Sequence, residues 1–359
     1  MIPYYLLLII PLAFSFLFFK RDNKIVNKNF PLVVFFLMLF VLLSFRSVKT
    51  GTDSLNYSVM FQNAEGYTIG SLFDLSINEP GYGLLQQSFR TISNGNFQLF
   101  LTFCAFVSLL PIVILYSKDA THPVLTMALF VVVAPFSMFF SGIRQSLAIG
   151  IGVISFYFVD RKKFIYFLIC VFIAFLIHRS AFVLLLLYPV YHLKIGKKHG
   201  IVFGIIAVIC FVFNRQIFSV LISIISHVYP RLEGATVSST GAFAMVILFS
   251  IFGVFSFLMP NEEKMDKETR GLRNILLLVI LIQCFAPIHT LAMRMNYYFL
   301  VFVPLLIPRI IDYSLVGNKK IANISKYVMT SFFIVYFFYN AYTGADILQI
   351  FPYVPFWEA

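Results

Sequence analysis

The residues best suited to chemistry are arginines at the ends of apolar runs. In Ser141-Gly142-Ile143-Arg144-Gln145 the Ser-Gly pair opens a helix and exposes backbone N–H groups, and Arg144 enters on the first turn. Oriented N–H groups and a bidentate guanidinium together describe an anion site. Ala148 and Gly152 leave room on the arginine's face. Gly142, Ser146 and Gly150 form a small-xxx-small row on another face, which reads as close helix packing. His178-Arg179-Ser180 closes the run FIYFLICVFIAFLI, where a histidine titrating near neutrality is a candidate general base and Arg179 either an anchor or a ligand contact. Arg294 follows in Ala292-Met293-Arg294-Met295-Asn296-Tyr297-Tyr298, with His289 upstream. Arginines from three such turns could converge on one doubly charged anion.

Two further clusters pair carboxylates with tyrosines: Gly51-Thr52-Asp53 with Tyr57, and Glu79-Pro80-Gly81-Tyr82. Acids that accept sugar hydroxyls, beside rings that cover apolar sugar faces, suit a glycan; turns and interfacial aromatics are the competing reading. Walker loops, HExxH and GxSxG are absent, and Cys104, Cys170, Cys210 and Cys284 sit in apolar blocks without CxxC spacing. No metal or cofactor is expected, and the cysteines read as packing residues.

The elements that must hold these residues are membrane helices. Of 359 residues 60% are hydrophobic and only 12% charged, against about 25% in soluble domains. The apolar residues form solid blocks near 2–19, 30–45, 97–116, 123–140, 143–159, 164–178, 180–193, 200–213, 242–259, 274–290, 297–311 and 327–342. Such blocks approach the roughly 20 residues of a membrane crossing and lack the alternation of a membrane barrel. The expected fold is therefore an all-α polytopic integral membrane protein of about twelve transmembrane helices, a single transmembrane domain over 1–359 with residues 2–19 retained as its first helix.

Lys and Arg orient it, because connectors on the cytoplasmic side carry the positive excess. With the N-terminus outward, inner connectors hold 19 of the 27 cations, and both termini are expected outside. The net charge of +12 is then an insertion signal, and no nucleic-acid partner is implied. Inner cations are mostly Lys, whereas seven of the eight outer ones are Arg. Topology is indifferent to which cation it uses, so the bias points to bidentate binding of phosphate or carboxylate outside, or to interfacial snorkelling and ring stacking. Residues 46–96 form a long outer loop, and 216–241 an outer amphipathic segment and loop. No internal repeat supports a transporter of inverted halves.

Through Gly51-Thr52-Asp53 with Tyr57, Glu79-Pro80-Gly81-Tyr82, Gly142-Ile143-Arg144-Gln145, His178-Arg179-Ser180-Ala181 and Arg294-Met295-Asn296-Tyr297-Tyr298, the chain resembles the EpsG-like branch of the Wzy-type polysaccharide polymerases. The resemblance implies a GT-C-like glycosyltransferase that joins polyprenyl-diphosphate-linked oligosaccharides at the outer face of the bacterial cytoplasmic membrane. A chain-length regulator protein is a possible partner beside the membrane lipids. On physical grounds Arg144 and Arg294 would stabilise the leaving diphosphate and His178 would take the acceptor proton, with Asp53 or Glu79 as rival bases. Asp53, Tyr57, Glu79, Tyr82, Gln145, Arg179 and Tyr297 would contact substrate. An O-antigen ligase or a flippase for the same lipid-linked unit are the alternatives; the flippase would favour charges at mid-span rather than at the outer ends.

Overall fold

The computed structural model describes residues 1–20, 30–68, 70, 79–133, 135–228, 243–259, 264–343, 346 and 348–358. Parts of the 46–96 loop (69 and 71–78) and of the 216–241 segment (229–241) lie outside the described residues. Among the described residues regular structure is helical, and one isolated β-bridge joins Arg46 to Pro355. Two compact units divide the chain.

The first unit comprises Met1–Phe182 and Lys320–Ala359. Its helices are α1 (Ile2–Lys20), α2 (Phe30–Ser44), α3 (Ser54–Asn63), α4 (Pro80–Ile92), α5 (Phe97–Asp119), α6 (Pro123–Val132), α7 (Met138–Ser141), α8 (Ile143–Asp160) and α9 (Phe164–Ile177), with the last helix of the chain returning to it. Asn96 starts α5 by accepting the Leu99 N–H on its side chain at 3.1 Å. α8 packs between α5 and α9. The small-residue row serves this packing: a Cβ on Gly150 would stand 3.0 Å from Ser108 Cα, so a side chain there would push α5 and α8 apart.

The second unit, Val183–Lys319, holds α10 (Leu187–His192), α11 (Lys197–Val212), α12 (Asn214–Val228), α13 (Phe243–Leu258), α14 (Lys267–Gln283), α15 (Thr290–Leu300) and α16 (Val303–Ser314); α17 (Lys319–Tyr342) then leads back to the first. Its centre is α14, capped by Asp266 through the Thr269 N–H at 2.8 Å. Arg273 and Asn274 are fully buried on α14 and donate to the Ile195, Val190 and Leu193 carbonyls, which tie down the end of α10 and the turn after it. Arg309 of α16 closes the same end of α14, on Glu268 at 2.6 Å.

The expected twelve spans are not what the chain forms. Among the described residues three helices are long and apolar enough to cross a membrane: Phe97–Asp119, Ile143–Asp160 and Lys319–Tyr342. Three bent pairs raise the number to six at most: Pro123–Val132 with Pro135–Ser141 (65°), Lys197–Val212 with Asn214–Ile224 (82°), and Thr290–Leu300 with Val303–Ser314 (57°). Hydropathy windows register apolar composition and cannot register a bend, so blocks such as 123–140 and 297–311 were counted as straight crossings. The block at 180–193 is a 3-10 segment, Arg179–Leu186, followed by a helix of six residues. Apolar helices such as Phe164–Ile177, at about 1.5 Å per residue, also fall short of the roughly 30 Å hydrocarbon core. The GT-C-like, twelve-span architecture with both termini outside, which depended on an even number of crossings, is thus replaced by an all-α, multi-pass membrane fold with three to six long apolar spans among the described residues.

Candidate active site

Each sequence motif of the first unit owes its form to a local requirement. Gly51 has φ +96°, and a Cβ there would lie 2.4 Å from the Phe140 carbonyl oxygen, so only glycine makes this turn. Thr52 follows and bonds Ser141, and Asp53 begins α3 without using its carboxylate as a cap. Pro80 occupies the first turn of α4, where its missing N–H costs nothing. A Cβ on Gly81 would stand 3.0 Å from Leu176, so the glycine lets the start of α4 sit against the end of α9. That approach carries Glu79 to His178 and Arg179. His178 itself turns into extended backbone (φ −152°) and ends α9.

Glu79 is the centre. Its Oε2 accepts from Arg144 Nη1 at 2.8 Å, and its Oε1 meets His178 Nδ1 at 2.6 Å and accepts the Arg179 backbone N–H at 3.0 Å. Burial opposes the charge on Glu79, but the hydrogen bond and charge of His178, then Arg144 and the Arg179 N–H, outweigh it and hold the carboxyl below its ordinary value. An ionised carboxylate only accepts, so Nδ1 of His178 carries its proton toward Glu79 and, in the neutral ring, Nε2 is left as the acceptor. Arg144 lies over the rings of Tyr57 and Tyr82, 5.4 and 5.8 Å from their centroids, and its Nε reaches the Tyr57 hydroxyl at 3.4 Å. Exposure grades outward: the Glu79 side chain is 8% exposed, His178 18% and Arg144 31%. The carboxylate is the buried anchor, and the imidazole and guanidinium are the more accessible groups of the cluster.

The structure thus brings Tyr57, Glu79, Tyr82, Arg144, His178 and the Arg179 backbone into one cluster. Asp53 sits one turn before Tyr57, close enough that its charge, after the larger effect of burial, helps to raise the Tyr57 hydroxyl pKa. Tyr57 and Tyr82, expected as sugar faces, are buried and hold Arg144. Gln145 is buried at the next position. Arg294 and Tyr297 belong to the second unit, exposed and half-buried on α15, whose first turn is capped by His289 Nδ1 accepting the Leu291 N–H at 3.0 Å. His289 also stacks on Phe218 at 5.3 Å.

Two features escaped sequence reasoning. The bridging role of Glu79 joins residues 65 and 99 positions apart, and the one local signal was an acid directly before Pro-Gly. Ser141, read as part of a helix opening, bonds Thr52 and Leu348, 89 and 207 positions away in the chain. A family model described as the EpsG family matches residues 29–354. No curated protein and no solved structure matches the chain.

Proposed function

This chain belongs to the EpsG family, Wzy-type polymerases that transfer lipid-linked oligosaccharide units at the membrane, and we propose that the Glu79 cluster is where the transfer occurs. The observation that carries the proposal is one buried carboxylate holding both a guanidinium and an imidazole. In the proposed step an acceptor sugar hydroxyl attacks the anomeric carbon of the growing chain. The bond from that carbon to the phosphate oxygen breaks, and polyprenyl diphosphate leaves with the electron pair. The hydroxyl proton passes to His178 Nε2. Arg144 meets the diphosphate, on which charge grows as the bond breaks. Glu79 is an anchor rather than a base, because its oxygens are already committed to the Arg144 guanidinium, the His178 Nδ1–H and the Arg179 N–H, while Asp53 orients the acceptor hydroxyl. Deleting the gene and running the surface glycan on a gel tests the reading. Single units in place of a ladder support polymerase, and long chains left unattached would point to a ligase.

The site is proposed to face out of the bacterial cytoplasmic membrane. It lies at the start of α8, and the connector at the other end of that helix carries Arg161, Lys162 and Lys163, the kind of cluster retained in the cytoplasm. In a cysteine-free background, Cys at Thr91, just before the turn into α5, is expected to react with an impermeant thiol reagent in intact cells, and Cys at Lys163 only after lysis. The reverse pattern would place the site inside.

Metal independence is also expected. Arg144 offers the rest of its guanidinium to a diphosphate, and among the described residues no three His, Cys, Asp or Glu side chains converge to hold a divalent ion. Purified protein should lengthen lipid-linked units in excess EDTA at an undiminished rate. Loss of activity restored by magnesium or manganese would refute this.

A further inference from the structure

The last residues of the chain run along the loop between α2 and α3 and provide the backbone partners that this irregular loop lacks. The Ser47, Gly51 and Thr52 N–H groups donate to the carbonyls of Val354 (2.8 Å), Gln349 (2.9 Å) and Leu348 (3.2 Å). In return the Val354 N–H donates to Thr50 Oγ1 at 3.1 Å, and the Phe356 N–H to the Phe45 carbonyl at 2.9 Å. Tyr4, buried on α1, fastens the tail from the other side by donating to the Ile350 carbonyl at 2.7 Å, with its ring edge-on to Phe351 at 4.7 Å. Unpaired backbone groups are costly where water is scarce, so these bonds decide where the loop can lie.

All of this meets at one hydroxyl. Ser141 Oγ donates to the Leu348 carbonyl at 3.1 Å, accepts the Thr52 N–H at 2.9 Å, and lies 2.8 Å from Thr52 Oγ1. A hydroxyl has one proton and two lone pairs, so these three partners fill it. Ser141 is 1% exposed, Thr52 adjoins Asp53, and Ser141 lies three residues before Arg144.

We propose that Ser141 is a positioning residue, and that the C-terminal tail, acting through its hydroxyl, fixes Asp53 and Arg144 relative to one another. The proposal extends beyond the Glu79 cluster and rests on the polymerase reading for its activity measurement. The Asp53 turn and the Arg144 helix are separated by about ninety residues of chain, and their register is set by a third segment, 348–356, about two hundred residues further on. A displacement of about 1 Å in a catalytic group can cost on the order of a hundredfold in rate, so the effect of releasing the node is measurable.

The test compares Ser141→Ala, Thr52→Val and the double variant at matched membrane levels, with hydrogen exchange followed at residues 46–52 and 348–356. Expected are faster exchange in both segments and turnover lower by about tenfold or more, with the KM for lipid-linked acceptor within about twofold of the parent. Because both changes break one node, the double variant should lose no more than the worse single one. Unchanged exchange in Ser141→Ala, unchanged turnover despite faster exchange, or losses that multiply in the double variant would each overturn the proposal. A chain ending at Thr343 gives the second arm: the Ser47, Gly51 and Thr52 amides should lose protection, and retained protection would also overturn it. A parent chain that does not lengthen lipid-linked units would speak against the polymerase reading itself, and the exchange measurements would still decide whether the tail holds the loop.

Discussion

Arg144→Lys is expected to reduce polymer formation by about a hundredfold to a thousandfold, equivalent to about 2.7–4 kcal/mol of transition-state stabilisation. Lysine keeps the charge and a long apolar stem, so a residue that merely satisfied topology or snorkelled to the interface would tolerate it. Arg144 does several things at once. Its Nη1 is taken by Glu79, its Nε reaches Tyr57, and its plane lies over two tyrosine rings, so that the rest of the fork is presented in a fixed direction. A lysine ammonium at the same place would be drawn to Glu79 and offer a point charge in place of a planar fork. Arg161→Lys is the control. It lies just beyond the far end of the same helix, its guanidinium 3.5 Å from the centroid of the Tyr157 ring, and has no part in the cluster. Near-normal glycan ladders from Arg144→Lys at matched membrane expression would sink the diphosphate-clamp mechanism.

Glu79→Gln should be comparably severe, between about a hundredfold and ten-thousandfold, the range that general acid–base groups contribute. The amide is nearly the same size, so packing at the start of α4 is retained, but the neutral side chain no longer holds Arg144 by charge. It can also turn its NH₂ toward His178 Nδ1, which would place the ring proton on Nε2, the position required to accept one. The variant further distinguishes anchor from base through stability. The folded-state pKa of Glu79 lies below its ordinary value near 4.5, so the folded protein binds this proton less readily than the unfolded chain. The stabilisation is present above about pH 4.5 and is lost as pH falls through the folded-state value. In detergent, the midpoint of thermal unfolding of the parent should therefore drop more steeply than that of Glu79→Gln as the pH is lowered from about 5 to 3. Parallel curves would show that Glu79 is not held ionised by its neighbours. Full polymer formation by the variant would remove it from the mechanism.

Much of this was legible in the sequence because it depends on composition and on chemistry carried within a few residues. Solid apolar blocks with few charges require a membrane, whatever the tertiary arrangement. The short motifs around Gly51, Gly81 and Gly142, in their order along the chain, carried the resemblance to the family. His178 and Arg144 were singled out by residue type and by their places at helix ends.

The tertiary structure decided what depends on distance between residues far apart in the chain. Asp53 and Glu79 are equivalent by type and setting in the sequence; only the approach of α4 to the end of α9 assigns Glu79 to a guanidinium and an imidazole. Tyr57 and Tyr82 belong equally well against a sugar or an arginine until the position of Arg144 is known. The number of crossings was overcounted because a bend lies in the backbone and leaves hydropathy unchanged. The tail carries no motif of its own: it bonds the loop mainly through backbone carbonyl and N–H groups, which every residue offers, so its role is written in geometry and not in residue type.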